Sequence, residues 1–465
     1  MRLLRLLLVW LGAVLAACPA RVRKPWDALP ASEQALFLRA LTLSMDRGYY
    51  ARFVALHADE MTNREAHNTC VFLFWHRKFL LGFETMLRSL GDDFACVTLP
   101  YFDYVQHNLD YVSRKCTNIA SCAKILNAFG GSGPAVASSP SSPILGYRFP
   151  GAQCISASPA SHFCAPASTT CMRCVPRGPW TSTYFSPDLN FNRVKQSVFA
   201  GSSMTAVTAA IEASPHDSMH ATLGGAMANL FVSAADPIFF AHHAMIDVLL
   251  SIYHECLSRQ IGAAEAKVVS DPRVFEGCVA NNVPLTANSR VLRLASTPEL
   301  PFFDNVPTTY GGWVDATQLG NSSYSYELHG LLGTLYTQCD AAGTTTNPGA
   351  RRLTKKHTVR HSNSVDTQAF LAWRAAIYAA GTAQALSTRA IEDEVEKMMV
   401  MLYEHCLPGA VLDYPTAFKS MWRISRPATS KALLDGITSG ANPIRIDAWT
   451  EINQRYYNCS GAPSA

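Results

Sequence analysis

The chain has 465 residues, 48% of them apolar and 16% charged, with 39 Lys and Arg against 35 Asp and Glu. That composition can bury a large core and excludes a disordered chain. A net charge of +4 with no dense basic stripe excludes a nucleic-acid footprint.

The first twenty residues carry Arg2 and Arg5, then an apolar run from Leu6 to Ala17, then small residues. That pattern is a signal peptide over 1–20, too short in its apolar part to span a bilayer. It points to a secreted protein. Leu15-Ala16-Ala17-Cys18 also has the form of a bacterial lipoprotein box, so a lipid anchor at Cys18 is the alternative. The 14 cysteines weigh toward an oxidising compartment. Asn321-Ser322-Ser323 and Asn458-Cys459-Ser460 have the form of glycosylation sequons.

Residues 21–335 read as one mainly helical domain. Ser32 caps a helix after Pro30. Tyr50, Phe53, Val54 and His57 then share a helical face. A polar stretch from His57 to Asn68 breaks the pattern and reads as a loop carrying His67. Phe72, His76, Phe79, Leu80, Phe83 and Leu87 form the stripe of a second, long helix. Residues 110–190 lose periodicity and are rich in Ser, Pro, Gly and Cys, an irregular insertion held by disulfides. Cys171-Met172-Arg173-Cys174 resembles half a zinc knuckle, but no second half has the spacing. Helical pattern returns at 192–212. Ser214-Pro215 and Asp236-Pro237 each offer an N-cap followed by proline at the first helical position. After the second of these, Phe239, His243, Ile246, Leu250 and Tyr253 fall on one face. Residues 258–329 read as loops and short strands. Residues 336–360 read as a linker with basic pairs at Arg351-Arg352 and Lys355-Lys356. The C-terminal part, 361–465, carries amphipathic helices at 366–380 and 388–406.

The histidines are clustered: His57, His67 and His76, then His216, His220, His242 and His243. Several imidazoles on apolar faces are costly unless something binds their lone pairs. His216 and His220, four apart on one helix, present their rings on one side and can clasp one ion, with His243 completing a three-nitrogen face from a second helix. His57, His67 and His76 make a second such set. All-nitrogen sites with open positions suit copper or zinc, not calcium or magnesium. Two of them in one four-helix bundle imply a dinuclear metal site. His216-x-x-x-His220 also has the spacing of a zinc-protease helix, but Asp217 stands where that chemistry needs Glu.

The segments AHNTCVFLFWHRKFLLGFE and VTLPYFDY resemble the copper-A region of tyrosinases, and SPHDSMH with SAADPIFFAHHAMIDVLL resembles their copper-B region. The chain is similar to the type-3 copper proteins: tyrosinases, catechol oxidases and haemocyanins. The resemblance implies copper A on His57, His67 and His76, and copper B on His216, His220 and His243, with His242 a neighbour. It implies two copper ions, O2 as co-substrate, and oxidation of small phenols or o-diphenols to o-quinones. It makes Asp247 the acceptor for a ligand imidazole N–H. It places Leu230, Ser233 and the ring face of His243 in the substrate pocket, and Asp217 beside the site as a base or a helix cap. Efficient hydroxylating relatives have Asn at the position of Asp217 and a Glu upstream. Residues 190–211 hold no Glu, and Glu212 is one turn before His216, so diphenol oxidation is the firmer implication. Glu65 stands where some relatives carry a Cys linked to the second copper-A histidine, so no such link is expected, and Cys70 reads as a disulfide partner. The resemblance further implies that the C-terminal part shields the entrance until processed at the basic pairs. The alternatives are a haemocyanin-like O2 carrier and a zinc-loaded relative without redox chemistry. Nothing in the sequence encodes the oligomeric state.

Overall fold

The computed structural model describes residues 18–133, 143–168, 171–261, 266–269, 271–291, 301–339 and 356–459. Most of the expected signal peptide, and Arg351, Arg352 and Lys355, lie outside the described residues. Among the described residues no helix is long and apolar enough to cross a membrane.

After a short strand, β1 (Val22–Arg23), four helices follow: α1 (Ala31–Asp46), α2 (Tyr49–Ala58), α3 (Glu60–Ala66) and α4 (Phe72–Arg88). Gly48, at φ 73°, supplies the left-handed turn between α1 and α2. The stretch 57–68 was expected as a loop, yet α3 occupies most of it. Thr69 Oγ1 donates to the Glu65 carbonyl and helps close its end. α4 is buried on nearly every side, as befits the central helix of the bundle.

Helix α5 (Tyr104–Val112) leads into the insertion. There the disulfides Cys116–Cys122, Cys154–Cys174 and Cys164–Cys171 hold short elements together. Cys171 and Cys174 sit in different disulfides, so neither is left for zinc. Beyond it come α6 (Phe191–Val198), α7 (Met204–Ile211), α8 (Asp217–Leu223) and the long α9 (Ile238–Ile261). Asp236 caps α9 as expected, its carboxylate accepting the Ile238 N–H at 3.2 Å. Ser214-Pro215 does not start a helix. It lies inside a wide π turn, Glu212–His216, that joins α7 to α8. Proline has no N–H to give a regular i−4 bond, and the wider turn absorbs that loss.

Within the bundle of α2, α4, α8 and α9, helices α4 and α9 are tied together by one buried ionic cluster. Asp247 on α9 accepts from Arg77 Nε on α4 (2.6 Å), Arg23 on β1 (3.4 Å), Tyr324 (2.6 Å) and Tyr326 (2.5 Å). Glu84 accepts from Arg23 Nε at 2.8 Å. Arg77 also donates to the Trp313 and Val314 carbonyls.

The segment expected as a linker is partly structured. Helix α10 (Gly330–Gln338) precedes it, and a strand (Thr358–Arg360) ends it. That strand pairs in parallel with Ser325–His329, which in turn pairs with β1. Gly333 allows the close approach, because a Cβ there would meet the Val359 side chain at 2.8 Å. Lys356 is half-buried and bonds to Asp315 at 2.8 Å, so it is not an exposed processing point.

The C-terminal helices are α11 (Val365–Ala383), α12 (Thr388–Cys406), α13 (Thr416–Trp422), α14 (Thr429–Thr438) and α15 (Trp449–Tyr457). Ser364 and Ser387 cap the first two. The second docks on α5 and on α6 and its cap through polar contacts: Lys195 with Glu392 at 2.5 Å, Asn190 with Glu396 at 3.1 Å, and Tyr403 with Asn108 at 2.8 Å. Every cysteine is paired. Cys18–Cys96, Cys70–Cys278 and Cys256–Cys339 lie within the first 339 residues, and Cys406–Cys459 lies within the C-terminal part. With its sulfur bonded to Cys96, Cys18 has no thiol for the lipid anchor considered as an alternative.

Candidate metal centre

His57 closes α2, His67 follows α3 and His76 lies within α4, and their ligand nitrogens all lie within 4.8 Å of one another. His216 ends the π turn, His220 is one turn on in α8, and His242 and His243 lie in α9; their nitrogens form a second group within 4.8 Å. The two groups face each other. The His76 and His243 rings stack at 4.1 Å and 15°, and the His67 and His216 rings lie 6.0 Å apart.

Hydrogen bonds fix the tautomers. His57 Nδ1 faces the Phe231 carbonyl at 2.9 Å, His76 Nδ1 the Phe72 carbonyl at 3.0 Å, and His220 Nδ1 the Met227 carbonyl at 2.7 Å. A carbonyl only accepts, so each Nδ1 carries the hydrogen and each Nε2 keeps its lone pair. His216 Nδ1 donates to Asp217 Oδ1 at 3.0 Å, with the same result. Buried Nε2 atoms of His57, His67, His76 and His216 meet no hydrogen-bond partner. His220 Nε2 and His243 Nε2 are 3.3 Å apart. Two nitrogens about 2.0–2.1 Å from one tetrahedral ion would be spaced about 3.3 Å. Burial drives the His57 imidazole down to about 4 and that of His220 to about 3. Burial, then neighbouring imidazoles, hold His67, His216 and His243 well below the usual histidine value. The rings are therefore neutral ligands at neutral pH. Orphaned, converging lone pairs of this kind are costly without an occupant, so the donor set fits a pair of metal ions.

Residues 47–255 match the family model of the common central domain of tyrosinase. That stretch is similar to the tyrosinase central domain. It is 26% identical over 223 residues to tyrosinase-like protein 1 of Margaritifera margaritifera, covering 47% of this chain and 40% of that protein. It is 38% identical over 89 residues to a tyrosinase of Streptomyces antibioticus, covering 18% of this chain and 32% of that enzyme. The chain thus spans less than half the length of these curated relatives. Among solved structures, a mutant polyphenol oxidase from Thermothelomyces thermophila aligns with a TM-score of 0.40 at 18% identity, over 66% of this chain and 88% of that one. A functional unit of Octopus hemocyanin aligns with a TM-score of 0.41 at 16% identity, over 66% of this chain and 68% of that one.

Around this centre the other sequence-derived residues fall unequally. Asp247 was expected on a ligand imidazole. It bonds instead to Arg77, Arg23, Tyr324 and Tyr326, because two guanidinium groups are stronger partners for a buried carboxylate than a neutral ring. Burial raises the Asp247 pKa, but Arg77 and Arg23 outweigh it and hold the group below the usual carboxylate range. The role expected of Asp247 falls geometrically to Asp217, whose Oδ1 holds the His216 ring. Asp217 Oδ2 is 3.3 Å from Arg426, so both its oxygens are engaged and neither is a free base. Burial raises this carboxyl to about 7, against the pull of Arg426. Glu212 accepts the Asn68 N–H at 2.6 Å, beside His67, and burial followed by Asp217 raises it well above the usual range.

The His243 ring has no open face for a substrate, since it packs against His76 and Phe239 at 4.1 Å each. Ser233 is fully buried, in a turn packed on α2 and α9. Leu230 belongs to a small apolar cluster with Tyr414, Phe418, Trp422 and Ala428. Glu65 is tied to Tyr310, and Cys70 is in its disulfide with Cys278.

Sequence reasoning expected the C-terminal part to shield the site but named none of the residues that cover it. Trp422 of α13 lies over the centre, its ring 4.6 Å from His220 and 5.5 Å from both His67 and His216. Its indole N–H donates to the Ala228 carbonyl at 2.8 Å. Tyr414 bonds to Ser218 at 3.0 Å, and Arg426 donates to the Ala213 carbonyl at 3.1 Å. Nothing in the local sequence of 414–426 marks it as a lid, because its partners are some two hundred residues away.

Proposed function

We propose that the protein is a secreted, copper-dependent phenol oxidase that converts o-diphenols, and simple phenols, to o-quinones with O2. The observation that carries this reading is the opposed pair of imidazole sets with buried, unpartnered Nε2 atoms. His57, His67 and His76 would hold one copper, and His216, His220 and His243 the other. His242, fully buried in the second group, stays a neighbour in this reading, since the 3.3 Å spacing belongs to His220 and His243. Bound there, the copper pair would supply the electron exchange that couples two o-diphenols and one O2 to two o-quinones and two waters. The chain's own residues do the rest: carbonyl acceptors and Asp217 aim the rings, and apolar walls keep water out. The aromatic substrate would stack where the Trp422 indole now lies, on His220 and His216, with Leu230 beside it.

In this reading the C-terminal part is a shield, and 340–355 is not its release point. The strand Thr358–Arg360 stays in the central sheet, so a cut at the basic pair 351–352 leaves the lid attached. The exposed stretch around His361 and Asn363 is the place where a cut frees it. After copper loading, oxygen uptake with 4-methylcatechol should be low in the full chain, unchanged by a cut at 351–352, and raised by a cut at 361–364. Absence of uptake in all three would refute the oxidase. The lid itself supports one second reading, an O2 carrier with a covered site. Reversible oxygen binding without catechol turnover after the 361–364 cut would favour it.

A further inference from the structure

One side chain touches two of the three members of the first histidine set. Asn63 of α3 is buried, about one helical turn before His67. Its Nδ2 donates to the His57 carbonyl at 3.2 Å, and its Oδ1 lies 3.4 Å from His67 Nδ1. The His57 carbonyl belongs to the last turn of α2, where a helix leaves its C=O groups without partners of their own. That bond fixes the amide. A carbonyl only accepts, so the NH2 end faces His57 and the amide oxygen faces His67. The amide oxygen also only accepts, so His67 Nδ1 carries the hydrogen. The lone pair is then left on Nε2, which is buried and has no hydrogen-bond partner. His57, His76 and His220 have backbone carbonyls for this task. His67 has the Asn63 amide instead.

We propose that Asn63 is a positioning residue of the first metal site: its single amide ties the end of α2 to the ring of His67 and holds that ring in the tautomer that can bind metal. The proposal rests on the dinuclear reading of the proposed function and adds a residue that assembles the site. A neutral imidazole left to itself favours hydrogen on Nε2, and that form turns an N–H toward the metal in place of a lone pair. A side chain that merely closed α2 would not decide which nitrogen of His67 is protonated.

The first measurement needs no metal. In the 15N-labelled, metal-free full chain at pH 8, long-range 1H–15N imidazole correlations distinguish the two tautomers. The His67 signals are assigned by their loss in His67→Gln. The unsubstituted chain should show His67 with hydrogen on Nδ1, and a predominant Nε2–H form overturns the proposal. Asn63→Leu removes both bonds at similar volume and should move His67 toward the Nε2–H form. Asn63→Asp keeps an acceptor for His67 without the donor to His57, and should restore the Nδ1–H form. The second measurement is zinc competition against a chromophoric chelator. The unsubstituted chain should bind two zinc ions. Asn63→Leu should weaken one of them by about 10–100-fold and leave the other within about twofold, and Asn63→Asp should recover most of the loss. Persistence of the Nδ1–H form in Asn63→Leu, equal weakening of both sites, no weakening, or a loss that Asn63→Asp does not recover overturns the proposal and leaves the metal pair standing. Fewer than two zinc ions on the unsubstituted chain overturns the dinuclear reading and the proposal with it. Should Asn63→Leu not fold, Asn63→Ala takes its place with the same expectations, and the tautomer of the unsubstituted chain still decides.

Discussion

The two halves of the centre are built differently. The second is made by continuous helical backbone: His216 ends the π turn, His220 follows one turn on in α8, His243 comes from the facing α9, and Asp217 and a carbonyl fix the first two rings. The first draws its three rings from three separate elements, and its middle member, His67, sits just outside α3. His67 Nδ1 has only Asn63 Oδ1, at 3.4 Å, beside it. What holds that stretch is remote: the Cys70–Cys278 disulfide, the Glu65–Tyr310 bond and the Asn68 N–H on Glu212. A helix carries its own geometry in its spacing. A loop-borne ligand must borrow rigidity from tethers elsewhere in the chain.

That contrast can be broken outright at Asp247, which serves both halves because it ties α4 to α9. Asp247→Ala leaves Arg77 and Arg23 buried without their shared carboxylate, and should cost about 3–5 kcal/mol in urea unfolding. Both metals should then be lost together. Their loss one at a time would show that the cluster does not couple the halves. The contrast is sharpened by removing the tether alone. Cys70→Ala with Cys278→Ala should cost about 2–4 kcal/mol. It should also let the His57–His67–His76 metal leave at lower chelator concentration than its partner, followed by metal analysis. Equal loss from both sites would count against the borrowed-rigidity account. The mildest probe is Asp217→Ala, which frees His216 Nδ1. Metal affinity at the second site should fall by about 10–100-fold, with the first site unchanged in a competition titration.

The same contrast explains what could be read from the sequence. The His216-x-x-x-His220 spacing and the stripe through His243 place those rings because helical periodicity is local. His57 and His76 are legible for the same reason. α3 was hidden because its residues, Glu60–Ala66, are polar and give no apolar stripe. The π turn was hidden because proline ordinarily begins helices, and only the bond pattern around Glu212–His216 shows otherwise. Asp247 was misread because its spacing from His243 is right, while its real partners come from residues 23, 77, 324 and 326. The cover by Trp422 and Arg426 is tertiary throughout.

The third strand of the small sheet bears on where the chain can be cut without exposing an edge. Thr358–Arg360 occupies the open side of Ser325–His329. A fragment ending at residue 339 would leave that backbone edge unpaired, an invitation to intermolecular strand addition and aggregation. A fragment ending just past Arg360 keeps that edge capped, and is the version to express when the lid is to be left out.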